Sequence, residues 1–175
     1  MTDKDFKQNI ELIKNKDKAG LKTIYVEYVS LIYHTVLNIV KQKEDAEDIT
    51  SDFFIKLATI AEKYKSGNGH RTWLITIARN MAIDYIRSHN KEVPAEDTLM
   101  EQQPSNDTPE EQYISATSFK ELIYLLNQKE QEVLTYKIMG ELTFKEIAAI
   151  TEEPMGTITW RYNEAIKKLR RNYHE

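Results

Sequence analysis

The chain has 175 residues, a formal net charge of −4, no cysteine, and few glycines and prolines among abundant charged residues. The missing cysteine excludes disulfides, thiolate metal sites and cysteine nucleophiles, and the composition favours helix. No apolar run reads as a bilayer span and the start lacks a signal-peptide pattern, so the expectation is a soluble, cytoplasmic, all-α protein.

Leu21 to Val40 is apolar on most sides, through Ile24, Tyr25, Val29, Ile32, Val36, Leu37 and Val40, and is expected to form a central helix. A second helix is expected from Glu44 to Tyr64, with Ile49, Phe53, Leu57 and Ile60 at helical spacing. It opens on Asp45-Ala-Glu-Asp48 and Ser51-Asp52. By themselves these acids read as compensation of the helix dipole. Lys65 to His70 then forms a loop in which Gly67 and Gly69 permit backbone shapes closed to other residues.

Thr72 to Arg87 reads as an amphipathic helix. Leu74, Ala78, Met81, Ala82, Tyr85 and Ile86 share its apolar face, while Thr76, Arg79, Asn80, Asp84, Arg87 and Lys91 gather opposite with Trp73 at their centre. An aromatic ring among cations and amides suits single-stranded nucleic acid, whose bases stack while its phosphates are held. Burial of Trp73 by a neighbouring element is the alternative.

From Val93 to Pro109 the chain has three prolines among polar residues and almost nothing apolar to bury, the pattern of a linker. Between Glu92 and Phe119 there are seven acidic residues and no Lys or Arg. Without them, 21 acidic residues face all 24 basic ones, a net +3. The acidic balance therefore does not argue against a nucleic-acid partner. The expected architecture is two small helical domains, 1–92 and 112–175, joined by an acidic flexible linker over 93–111.

In the second domain helices are expected from Ala116 to Leu126 and from Lys129 to Met139. Thr143-Phe-Lys-Glu146 is a capping box that starts a short helix, Thr151-Glu-Glu153 is a turn, and Pro154 suits the first position of the last helix. That helix buries Ile158, Tyr162, Ala165, Ile166, Leu169 and Tyr173. Its other face carries Thr157, Thr159, Trp160, Arg161, Glu164, Lys167, Lys168, Arg170 and Arg171. A short helix, a tight turn and a longer basic helix make a helix-turn-helix, completing a four-helix domain. Its second helix would set Thr157, Thr159, Trp160 and Arg161 at base edges, with Lys167, Lys168, Arg170 and Arg171 better placed for phosphates. Glu164 could accept from a cytosine amino group, but a pair with Lys168 is the favoured reading. The four histidines lack metal-ligand spacing, and only His70 lies where a ligand could be touched. With no phosphate-cradling glycine loop and no nucleophile–base set, neither an enzyme nor a cofactor, metal or small-molecule substrate is expected.

Taken in order, Asp45-Ala-Glu-Asp-Ile-x-x-Asp-x-Phe54, Thr72-Trp-Leu-x-x-Ile-Ala-Arg-Asn-x-Ala-Ile-Asp-Tyr-Ile-Arg87, Leu126-Asn-x-x-x-Gln-Glu-Val-Leu134, Leu142-Thr-Phe-Lys-Glu-Ile-Ala148, Pro154-x-Gly-Thr-Ile158 and Ala165-x-Lys-Lys-Leu-Arg170 form one pattern. It resembles the extracytoplasmic-function (ECF) sigma factors, the minimal sigma-70 proteins of bacterial RNA polymerase. The resemblance covers all but the linker and the first dozen residues. It implies promoter-specific initiation of transcription. Core polymerase would be met through the β′ clamp helices and the β subunit, with Asp45, Glu47, Asp48, Ser51, Asp52 and Phe54 docking on the clamp. It implies capture of −10 DNA by Ser66, Asn68, His70, Arg71, Trp73, Arg79, Asn80 and Arg87. It implies reading of −35 duplex by Thr157, Thr159, Trp160, Arg161, Glu164, Lys167, Lys168 and Arg171. The linker would run through the polymerase cleft and RNA exit path, and a membrane-anchored anti-sigma factor is a further partner that many members have. Three departures stand out: Ser51 replaces a usual Gln, Thr159-Trp160 replaces a Lys/Arg-Ser pair, and Thr151-Glu-Glu153 makes the turn unusually acidic. The competing reading is a stand-alone helix-turn-helix regulator that never touches polymerase.

Overall fold

The computed structural model describes residues 1–67, 69–89 and 125–173, with side chains to residue 171. Its α-helices are Asp3–Lys14 (α1), Lys18–Val40 (α2), Lys43–Ile60 (α3), His70–His89 (α4), Gln128–Ile138 (α5), Phe144–Thr151 (α6) and Met155–Tyr173 (α7), with a 3₁₀ turn at Ala61–Lys63 after α3. No strand occurs among the described residues. The expected linker, Asn68, Lys91 and all but the end of the helix expected from Ala116 to Leu126 lie outside them.

α1 was not anticipated. It begins with a reciprocal cap, the Asp5 amide donating to the Thr2 hydroxyl and the Thr2 amide to the Asp5 carboxylate, each at 3.2 Å. Phe6, Ile10 and Ile13 follow at i, i+4 and i+7 and are buried against α2. The two helices meet at Gly20, where a Cβ would lie 2.8 Å from Leu12 Cβ and closer still to the Asn9 carbonyl oxygen.

α2 is the central helix, packed by α1, α3, α4 and α5. By length and composition it is long and apolar enough to cross a membrane, contrary to the sequence reading. Its apolar surface is taken up in part by the fold: 44% of its apolar 18-residue window is buried, while Tyr25 and Val26 stay exposed. Ile24, Leu31, Ile32, Val36 and Val40 belong to one core with Phe53 and Leu57 of α3, Leu74, Ala78 and Ala82 of α4, and Val133 and Tyr136 of α5. The N- and C-terminal modules thus share a core. A buried hydrogen bond of 3.0 Å, donated by the Asn38 amide to the Thr135 hydroxyl, crosses between them. A smaller cluster of Leu126, Leu134 and Ala165 holds α5 to α7.

The helix-turn-helix is formed by α6 and α7. The Thr143–Glu146 capping box starts α6 as expected. The turn runs through Glu152 in the left-handed region (φ 57°), and α7 begins at Met155. Pro154 therefore stands one place before its expected position, its carbonyl accepting from the Ile158 amide at 3.2 Å. Its missing N–H costs no helical bond there either.

Gly20→Ala is expected to destabilise the protein by about 1–3 kcal/mol, because the added methyl meets backbone that cannot step aside. Urea unfolding of the two chains measures it. Equal midpoints would mean that α1 does not depend on this approach.

Candidate nucleic-acid interface

The glycine loop leads into α4 through Gly67 and Gly69, both at positive φ (131° and 74°). At the first turn of α4, the Asp3 carboxylate accepts from the His70 amide at 3.1 Å and pairs with the His70 ring at Nδ1. The Tyr28 hydroxyl bonds the other ring nitrogen, and Phe6 stacks on the imidazole. Burial lowers the His70 pKa and outweighs the opposing bond to Asp3. A neutral ring donating at Nδ1 and accepting at Nε2 fits these partners. His70, expected at the ligand face, is buried and fastens α1 to α4.

Trp73 is half-buried, with its ring 5.0 Å from that of Tyr64 and 6.3 Å from that of Phe6. The alternative of cover by neighbouring elements thus holds in part, the cover coming from Tyr64 after the 3₁₀ turn and from Phe6 of the unexpected α1. The polar side of α4 divides into two stripes. Trp73, Thr76, Asn80, Asp84 and Arg87 form one, with Thr76, Asn80 and Arg87 exposed. Thr72, Ile75 and Arg79 form the other, at i, i+3 and i+7, and it faces the C-terminal module. The Thr72 hydroxyl reaches Glu146 at 3.5 Å, Ile75 is fully buried, and Arg79 pairs with Glu132 at 3.0 Å. Arg71, one position earlier, pairs with Glu141 at 2.9 Å. Ser66, in the glycine loop, is exposed.

On α3, Glu47, Asp48, Ser51 and Asp52 are exposed and Asp45 half-exposed. Phe54 is turned inward, edge-to-face with Tyr25 at 4.8 Å. Ile55, which the sequence reading passed over, is 66% exposed one turn beyond Ser51 and Asp52. Its spacing was legible; that it would be left uncovered was not.

Along α7 the exposed positions are Met155, Gly156, Trp160, Asn163, Lys167, Arg170 and Arg171, a stripe at helical repeat with Trp160 62% exposed. Arg161 is not on it. It is 8% exposed and turned back to the helix-turn-helix turn, where its guanidinium grips both carboxylate oxygens of Glu153, which Lys129 also binds at 2.7 Å. Asn163 takes the place on the stripe that the sequence reading gave to Arg161. Thr157 and Thr159 are half-exposed, and the Thr159 hydroxyl donates to the Met155 carbonyl at 2.9 Å. Glu164 pairs with Lys167 at 2.6 Å, and the expected partner Lys168 adds a weaker coulombic pull on its charge. Lys168 instead reaches the buried Glu130 at 2.7 Å.

Residues 24–92 match the sigma-70 region 2 family. The chain is 29% identical to the ECF RNA polymerase sigma factor SigM of Bacillus subtilis (strain 168), over 83% of this chain and 92% of that one. It is 26% identical to SigW of the same organism, over 97% of both chains. In fold it is similar to the sigma factor RpoE solved in complex with the anti-sigma factor NepR from Bartonella quintana (TM-score 0.68, 19% identity, 88% of this chain and 96% of that one). It also matches the solved CnrH, in complex with the cytosolic domain of CnrY (TM-score 0.61, 14% identity, 97% of each chain).

The Arg161–Glu153–Lys129 cluster carries a pH signature. The hydrogen bond from Arg161, opposed by burial and reinforced by Lys129, holds the Glu153 pKa down at about 2, below its ordinary 4.5. A depressed carboxylate stabilises the folded state above its unfolded pKa. That contribution is expected to fade as pH falls from about 4.5 towards 2. Urea unfolding across this window should show a shallower pH slope for Glu153→Gln than for the parent. Parallel slopes would show that the cluster does not tie α7 to the turn.

Proposed function

We propose that this chain, which belongs to the ECF group of the sigma-70 family, acts as a cytoplasmic promoter-specificity subunit that associates with core RNA polymerase, reads −35 duplex with α7 and holds opened −10 DNA with α4. The observation that carries this reading is the exposed stripe of α7 on a capped helix-turn-helix, in a chain matched nearly end to end by ECF sigma factors. The acidic face of α3, extended by Ile55, supports docking on the polymerase clamp. An anti-sigma factor is a reasonable further partner, since the RpoE and CnrH structures hold such proteins or named binding partners. The chain itself is an initiation factor and catalyses no reaction of its own.

Base reading follows from the side chains that the stripe presents. Trp160 offers apolar contact to a thymine methyl, and Asn163 offers the paired donor and acceptor that match adenine in the major groove. Lys167, Arg170 and Arg171 follow at the phosphate end. On α4, Asn80 and Arg87 remain exposed and would meet −10 DNA directly. Trp73 supports them from its packed position, and about 1–3 kcal/mol per stacked base offsets the few kcal/mol needed to unstack one.

Run-off transcription with purified core polymerase on genomic promoter DNA tests the function. Promoter-specific transcripts that require this chain are expected; duplex binding without core association would favour a stand-alone regulator. In the same assay, Asn80→Ala with Arg87→Ala should reduce permanganate-reactive open complex while leaving footprints at −35 nearly intact, since both side chains are exposed and their loss leaves the fold in place. Loss of both signals together would refute the separation of roles. In a −35 promoter library, Asn163→Ala should relax the preference at one base pair by about 1–3 kcal/mol. Trp160→Ser should do so at a neighbouring pair, and an unchanged preference in both variants would remove α7 as the reader.

A further inference from the structure

We infer that His70 is a positioning residue for the −10 strand: as a neutral imidazole held between Asp3 and Tyr28 it sets the glycine loop and the Trp73 ring, and its protonation releases them. The part played by the strand rests on the function proposed above, whereas the setting of Trp73 stands on geometry. His70 is 3% exposed, so it is withdrawn from any strand. It joins three helices at the point where the glycine loop ends. The Asp3 carboxylate of α1 accepts from the backbone amide that opens α4 and pairs with Nδ1 of the same residue. One of the orphan amides of a helix start is thus satisfied from another helix, and an anion stands where the helix dipole favours it.

One group of rings holds both ends of the loop. Phe6 stacks on the His70 ring, 4.7 Å between centroids, and meets Tyr64, just before the loop, at 5.1 Å. Trp73 packs on the same two rings, Phe6 and Tyr64. A shift of the imidazole is therefore passed through Phe6 to Trp73 and to the far end of the loop.

Protonation upsets this arrangement through its donors and acceptors. Burial raises the Tyr28 pKa to about 12, so the phenol keeps its proton and donates it to Nε2, while Arg71 donates to its oxygen. An imidazolium carries a proton on both nitrogens. Its Nε2 would then compete with Arg71 for the Tyr28 oxygen, and the buried Tyr28 proton would lose the acceptor that it has. Burial opposes a charge on the ring, Asp3 favours one, and Arg71 and the Met1 ammonium oppose it; the balance lowers the His70 pKa from 6.5. Glu27 faces Tyr28 and binds the Met1 ammonium at 2.6 Å, and Asp5, Glu141 and Glu146 line the cleft that His70 borders. A buried neutral ring contributes fully above its unfolded pKa and loses that contribution as pH falls below 6.5. Asp3, itself lowered from 3.8, stays charged throughout that range.

Emission of Trp73 in the full chain, with Trp160→Phe so that one of the two tryptophans remains, reads the setting of the ring. Between about pH 8 and about pH 5 one reversible step is expected. His70→Phe keeps a ring stacked on Phe6 and should abolish the step. Asp3→Asn removes the charge that favours the imidazolium and should move the step to lower pH. Asp3 is largely exposed, so this second variant carries the test even where an unpaired Tyr28 keeps His70→Phe from folding. A step that survives His70→Phe, or stays in place with Asp3→Asn, overturns the inference.

The strand is tested in chains that keep Trp160, with core polymerase, as permanganate-reactive open complex relative to the footprint at −35. One pH unit below the emission midpoint about a tenth of the rings stay neutral, so this ratio should fall about tenfold in the parent. With His70→Phe it should not change with pH, and polymerase effects cancel between the two chains. An emission step without a fall in the ratio overturns the positioning role, as does a rise in acid, the mark of a direct phosphate contact. No promoter-specific transcript from either chain removes the proposed function and the strand role with it, while the emission still decides whether His70 sets Trp73.

Discussion

The described structure depends on covering α2. A helix of 23 residues with apolar side chains on several sides needs neighbours on several sides. α1, α3 and α4 cover much of it, and α5 of the other module packs on it as well. Val36 and Val40 thereby join a core that continues into Val133 and Tyr136. Burial of each such side chain is worth about 1.5–3 kcal/mol, more than any one surface ion pair supplies. The meeting of the modules is thus an apolar event first. The carboxylates of the C-terminal module then set where along α4 the contact falls.

The same sequence of causes explains what could be read from the residues and what could not. α2, α3, α4 and the helix-turn-helix were legible because their apolar positions recur at helical spacing, and α2 and α6 also begin with a side-chain cap. α1 was legible in principle through Thr2, Asp5, Phe6, Ile10 and Ile13, but three apolar positions in a short segment are a weak signal without a partner. Ile75 was the clearest missed clue. A large apolar side chain beside Thr72 and Arg79 is misplaced on a face meant only for DNA and well placed on one that also packs. For Arg161 nothing local distinguished a base reader from a brace, because its partner Glu153 lies eight residues away across the turn.

Charge, too, was distributed less simply than composition suggested. The net +3 outside the acidic segment looked like a field directed at nucleic acid. Yet Arg71, Arg79, Arg161 and Lys168 each meet a carboxylate of the protein's own modules, and Lys167 meets Glu164. These pairs differ in kind. Arg161 with Glu153 and Lys168 with Glu130 fasten α7 to its own module, where the acid is largely buried and breaking the pair costs more than at the surface. Arg71 and Arg79 pair across modules, with Glu141 and Glu132. Cations of the first kind shape α7; those of the second join α4 to the C-terminal module.

That distinction orders the steps of promoter engagement. The α7 stripe is exposed, whereas the Thr72, Ile75 and Arg79 stripe of α4 is covered by the C-terminal module, so on the proposed reading duplex and opened strand meet surfaces of unequal availability. A ligand that needs the open form binds with its intrinsic affinity reduced by the open fraction, and any partner that prefers the open form removes that penalty. Under the proposed function, a strand that engages Arg71 and Arg79 has first to part them from Glu141 and Glu132, whereas duplex on α7 meets a stripe that is already exposed.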